Sequence, residues 1–193
     1  PKVSKEETVD GISIRRLSYL QPDRSHVLGR LVNYFSFTAA VFAHLGSLRN
    51  YRCALVYSNP PVLPWIVSWA KKLFGCRLVF VSYDLYPELA LRTGALKPQG
   101  AVDRLMKHIN RVVYPRLDRV VALSSEMKAF LTGNRTIDPK KITVIPNWYA
   151  DNGEPCRDLT GNRFARELGN KFVVSYFGNM GTVQDVDTIL DAI

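Results

Sequence analysis

Cysteine is scarce in this chain. Cys53, Cys76 and Cys156 are an odd number, and no two are spaced as a metal or redox pair. That excludes a disulfide scaffold and a thiolate metal site, and it leads us to expect free thiols in a reducing compartment. Histidine is as scarce, and His26, His44 and His108 are not spaced as ligands of one ion. Long apolar runs are also missing. Residues 31–48 have the length of a span but carry Asn33, Ser36, Thr38, His44, Gly46 and Ser47, which is too polar for one. They read as a buried or membrane-surface helix, with His44 a satisfied core histidine. Residues 1–10 are polar and show no secretory leader. Acidic residues number 17 against 26 Lys and Arg, a formal charge of +9. Such a surface favours phosphate-bearing ligands, acidic lipid headgroups or nucleic acid, and charge alone does not choose among them.

What is present is the composition of a folded domain. Of 193 residues, 47% are apolar and 22% charged, enough for one core and part of a second. Short apolar runs at 12–17, 53–57, 77–82, 119–123, 142–145 and 172–177 read as strands. Between them lie helical segments: 26–48, apolar on nearly every side and so largely buried; 62–74, ended by Gly75; 101–114; 126–133; 163–168; and about 183 to the end. Trp65 and Trp69, one helical turn apart, read as core packing. In 101–114, Val102, Leu105, Met106, Ile109, Val112 and Val113 form one stripe, with Arg104, Lys107, His108 and Arg111 opposite. Strands alternating with helices predict an α/β fold, a Rossmann-like parallel sheet covered on both faces. The broken polar stretch 148–162 separates residues 1–147 from 163–193, the start of a second such domain.

In open parallel sheets, ligands bind beyond the carboxyl ends of the strands. This sequence places Asn59-Pro60-Pro61, Tyr83-Asp84, Ser124-Ser125, Asn147 and Gly178-Asn179-Met180-Gly181 at those ends. Glycines between a strand and a helix let backbone N–H groups approach an anion, so 178–181 is a candidate diphosphate loop or else a tight turn. It is neither a dinucleotide fingerprint nor a nucleoside-triphosphate loop. Asp84 would orient a sugar hydroxyl or act as a base, or else cap the helix that Pro87 opens. Glu88 reads as first-turn helix charge. The basic stretch 92–119 reads as a solvated helix face or an anionic-membrane patch. Nucleic acid is disfavoured, because no binding motif or interleaved aromatics accompany the charge.

Four segments taken in order, VSYDLYPELALRTGAL (81–96), LDRVVALSSEMKAFL (117–131), KKITVIPNWYAD (140–151) and VVSYFGNMGTVQDVDTILDAI (173–193), resemble the family-four retaining glycosyltransferases of GT-B fold, most of all those of bacterial surface-polysaccharide assembly. The resemblance implies two Rossmann-like domains facing a cleft, the first for the acceptor and the second for a nucleotide-sugar donor. It implies retention of anomeric configuration, no cofactor and no metal. By position, Asp84 matches the cleft-facing acid, Asn147 the asparagine between the domains, and Gly178, Asn179, Met180 and Gly181 the donor-side loop near the diphosphate. Asn59, Tyr83 and Ser124 join Asn147 on the acceptor side of the cleft.

Two departures follow. The histidine that many members carry near 81–84 is replaced by Val-Ser-Tyr-Asp. The family's glycine-rich first loop and paired donor-gripping glutamates have no counterpart here, so the chain is expected to be a fragment, inactive alone, of a cytoplasmic enzyme peripheral to the inner face of the membrane. The expected partners are a nucleotide-sugar, a polysaccharide or lipid-linked acceptor, and an anionic membrane surface. Three alternatives stand beside transfer: a truncated, non-catalytic binding module, a sugar-nucleotide epimerase of the same architecture, and a basic peripheral-membrane or nucleic-acid protein without a pocket.

Overall fold

The computed structural model describes residues 4–23, 27–148, 161, 163–169, 171–178, 180 and 184–192. The chain divides into two compact units, Pro1–Pro146 and Asn147–Ile193.

The first unit opens with a hairpin. Strand β1 (Glu6–Val9) pairs antiparallel with β2 (Ile12–Arg15), Val9 opposite Ile12. Asp10 and Gly11 make the turn with φ of 50° and 80°. Positive φ at both positions is the backbone of the tight hairpin turn whose twist matches its strands. Helix α1 (Val27–Ala43) follows, then a 3-10 turn, Leu45–Asn50.

The body is a four-stranded sheet in the order β3-β4-β5-β6, all parallel: β3 (Cys53–Tyr57), β4 (Arg77–Ser82), β5 (Arg119–Ala122) and β6 (Ile142–Val144). Parallel neighbours need long crossovers. Helix α2 (Leu63–Phe74) joins β3 to β4, helices α3 (Glu88–Arg92) and α4 (Ala101–Val113) join β4 to β5, and α5 (Ser125–Asn134) joins β5 to β6. Gly75 ends α2 with φ of 70°, its N–H donating to Lys71 O at 3.0 Å, a left-handed cap that glycine adopts without strain.

Strand residues Val56, Leu78, Phe80, Val120, Ala122 and Ile142 meet helix residues Val67, Met106, Ile109, Val113 and Leu131 in one core. Met106, Ile109 and Val113 point inward from α4, and Arg104, Lys107, His108 and Arg111 are on its exposed face. Val102 and Leu105, expected on the inward stripe, are exposed, and Asp103 is buried instead. One ionic joint ties the layers together. Asp118 accepts from Lys71 Nζ of α2 at 2.7 Å and from the Leu78 N–H of β4 at 2.8 Å.

Four further expectations are corrected. Helix α1 is not largely buried: Leu28, Phe35 and Phe42, seven residues apart, are exposed, while Asn33 and Thr38 are buried. A helix apolar on every side carries no pattern that selects a face, so packing chose it. His44 is exposed just past α1 and its Nδ1 lies 2.8 Å from Ala40 O, so it is not a core residue. In the second unit, residues 171–177 form no strand, and Phe172 and Phe177 are 95% and 93% exposed. A strand is held by hydrogen bonds to a neighbouring strand, and among the described residues of this unit, helices α6 (Arg163–Leu168) and α7 (Val186–Asp191) included, no second strand lies beside it. Trp65 packs against the core, whereas Trp69 is exposed.

No helix of the described residues is long and apolar enough to cross a membrane.

Candidate functional site

The carboxyl ends of β3 and β4 are adjacent, and one buried hydroxyl joins them. Ser58, just past β3, accepts through Oγ from the backbone N–H groups of Tyr83 at 3.2 Å and Asp84 at 3.1 Å. The turn after β4 is thus fixed by the end of β3. A buried polar group is costly unless paired, and this hydroxyl meets two donors that the turn leaves without a strand partner.

Asp84 is half-buried, and its carboxylate makes no hydrogen bond or ion pair among the described residues. It does not cap α3, whose N-cap is Pro87 with no side-chain cap bond. Burial, and behind it the Asp84 charge, pushes the Tyr86 phenol above its usual range. The carboxylate is therefore held in place by its backbone, with its oxygens uncommitted. That is the arrangement needed to accept a hydroxyl from a sugar or to take its proton.

The segment after Asp84 is clamped from both sides. Asn110 of α4 donates from Nδ2 to Tyr86 O at 2.7 Å, and Arg135 donates from Nη2 to the same oxygen at 3.2 Å. Arg135, only 7% exposed, pairs with Glu88 at 2.6 Å and lies over the rings of Tyr114 and Phe130. Glu88 is thus first-turn charge of α3 and also the counter-ion of a buried arginine. Burial pushes the Tyr114 phenol up as well.

The space near Asp84 is small. A crevice of about 20 Å³ is lined by Ser58, Asp84, Tyr86, Asn110 and Tyr114 among others. A single water needs roughly 10–15 Å³, so no sugar ring enters it, and a substrate meeting Asp84 does so at the surface. A groove of about 470 Å³ runs beside β3, lined by Tyr57, Asn59, Leu55, Leu63, Phe37 and other mostly apolar residues. It has the volume of a small-molecule site, and it reaches the carboxyl edge at Tyr57 and Asn59.

The remaining sequence-derived candidates fall in different places. Asn59 and Tyr83 are exposed at the ends of β3 and β4, next to Ser58 and Asp84. Ser124 lies past β5 as the N-cap of α5, where its Oγ accepts from Met127 N–H at 3.1 Å. Its oxygen therefore has a structural task. Asn147 is exposed at the start of the second unit. Gly178 sits in a bend and Met180 is exposed, while Asn179 and Gly181 lie outside the described residues. Among the described residues no group of three or more His, Cys, Asp or Glu is placed to hold a metal ion.

Sequence reasoning missed Tyr57, Ser58, Asn110 and Arg135. Tyr57 is hidden inside an apolar strand run. The other three act through partners 24 to 49 residues away, and no local pattern marks them.

The comparisons with known proteins bear on the first unit above all. The chain is 27% identical over 162 residues, 81% of its own length, to a protein of Pseudomonas aeruginosa described as probable glycosyltransferase WbjE. Those residues span 40% of that protein. The Glycosyl transferase 4-like domain family matches residues 1–148, which include the whole parallel sheet, Ser58 and Asp84. On the strength of that match, the chain belongs to the family-four glycosyltransferases of GT-B fold.

Proposed function

We propose that the protein transfers a sugar from a nucleotide-diphosphate donor to a polysaccharide or lipid-linked acceptor, retaining the anomeric configuration and using no metal. The observation that carries this reading is the match across residues 1–148, inside which Asp84 stands at the carboxyl edge of the sheet with uncommitted oxygens. The first unit would be the acceptor side. Asp84 would receive the acceptor hydroxyl, Tyr83 and Asn59 would flank it, and Ser58 would position it. Gly178, Asn179, Met180 and Gly181 would stand by the donor diphosphate, and Asn147 between the two sides. The exposed basic face of α4 would hold the enzyme against anionic lipid, which supports a peripheral position at the membrane.

The test is acceptor-dependent release of nucleoside diphosphate. The full-length protein is incubated with uridine, guanosine and thymidine diphosphate sugars, with and without an extract of lipid-linked glycans. Release that needs both the sugar nucleotide and the extract supports transfer. A sugar nucleotide isomerised without any acceptor would make the protein an epimerase. Binding of glycan with no turnover of any donor would make it a binding module.

A further inference from the structure

Tyr57 is the last residue of β3 and Tyr83 the first residue after β4. Their ring centroids are 5.7 Å apart with planes inclined at 33°. They are 47% and 46% exposed. Neither phenol oxygen has a hydrogen-bond partner among the described residues. Two large aromatic rings at a core boundary ordinarily gain by burial, and buried phenols find a partner. These two do neither, although Ser58 fixes the backbone of Tyr83 beside them.

The neighbours give the pair a direction. Asn59 follows Tyr57 by two residues and is exposed, and Asp84 follows Tyr83 directly with free carboxylate oxygens. The exposed rings, an amide and a carboxylate thus stand at one carboxyl edge of the sheet, with Asn59 lining the same groove as Tyr57. A pyranose has the complementary form: C–H bonds on its faces, their hydrogens slightly positive, and hydroxyls around its rim. Aromatic faces are the negative part of the ring quadrupole. Tyrosine also provides a rigid contact at small entropic cost. At 5.7 Å and 33° the two rings lean on one another, and their exposed parts offer a ligand apolar surface where the crevice at Asp84, about 20 Å³, admits no ring.

We infer that Tyr57 and Tyr83 form a platform on which a pyranose ring of the acceptor stacks, with Asn59 and Asp84 taking its hydroxyls. The inference rests on the transfer reading above and adds Tyr57 to the site. It makes the acceptor's terminal residue a neutral sugar with an open C–H face.

The test uses the full-length protein with methyl β-glucopyranoside, methyl β-galactopyranoside and methyl N-acetyl-β-glucosaminide as probes. Tyr57→Leu and Tyr83→Leu remove a ring while keeping an apolar side chain, so β3 and the turn after β4 persist. Tyr57→Phe and Tyr83→Phe restore the ring. Saturation-transfer NMR reads binding, and initial rates read the acceptor KM. Each Leu variant is expected to raise the acceptor KM about tenfold, to leave the donor KM unchanged and to weaken the saturation signal, and each Phe variant to recover most of the loss. Turnover with an acceptor KM unmoved by the Leu variants would overturn the platform and leave the transfer reading standing. A saturation signal lost in the Leu variants without turnover by any form would support the platform and overturn transfer. No signal and no turnover from the wild type would sink both.

Discussion

Asp84 and Asp118 show how differently two carboxylates are used one strand apart. Asp118 is committed: Lys71, the Leu78 N–H and, at longer range, Lys141 act on it. Burial pushes its carboxyl up, and the three partners together pull it further down, below the usual range. A depressed carboxyl contributes stability above the usual carboxylate range and loses it as pH falls through its folded value. Asp118→Asn should therefore lower the urea-unfolding stability of the first unit by roughly 1–2 kcal/mol at pH 7, a figure reduced for the partial exposure of both partners. The deficit should shrink once the pH passes below about 4. A deficit of the same size at pH 3 would place the effect in packing rather than charge. Asp84 has no such commitment, so Asp84→Asn should leave the unfolding midpoint within ~0.5 kcal/mol. In the full-length protein it should cut kcat at least about a hundredfold, the order of one acid–base group. Near-normal kcat would remove Asp84 from the chemistry.

At the scale of elements, α4 is the clearest case of one helix with two roles. Its inward stripe, Met106, Ile109 and Val113, belongs to the core, and its outward face is basic. Lys107 is not a free surface charge. It donates to Asp103, which is buried, and that bond comes first among the causes that hold the Asp103 carboxyl below its usual range. Membrane binding is therefore tested with Arg104→Glu and Arg111→Glu together, sparing Lys107. At about 1 kcal/mol per basic residue near an anionic surface, the double variant should sediment with phosphatidylserine vesicles at least tenfold more weakly at low salt. Unchanged sedimentation would remove α4 from the membrane. The helix was legible in the sequence because its apolar residues recur at 3.6 spacing, but its inward face was only partly so: Asp103 is buried on it, and Val102 and Leu105 are exposed. The four parallel strands were legible as short apolar runs. Strand β1 was not, since Glu6, Glu7 and Thr8 give it no apolar alternation, although Asp10-Gly11 signals its hairpin. The exposed side of α1 was not legible either, because Leu28, Phe35 and Phe42 are no more polar than their buried neighbours.

For the molecule as a whole, position within the fold says more than any motif. The place of Asp84 was legible in the sequence because a carboxylate two residues past an apolar strand stands at the sheet's carboxyl edge. What holds it there depends on contacts between distant segments. Ser58 reaches it across 26 residues and Arg135 reaches Tyr86 across 49. Substituting Arg135 by Met would leave Glu88 without its buried partner. It should lower stability by about 3 kcal/mol in urea, with the acceptor KM of the full-length protein rising as the segment 84–88 loosens. A variant as stable as wild type would show that the clamp is dispensable.

The transfer proposed for this protein is retaining and metal-independent. The measurement that tests it most directly is proton NMR of the anomeric signal of the product formed by full-length protein in the presence of EDTA. The expected result is a new glycosidic signal with the donor's configuration, appearing only when an acceptor is supplied. An inverted signal, or a product that needs a divalent ion, would contradict it.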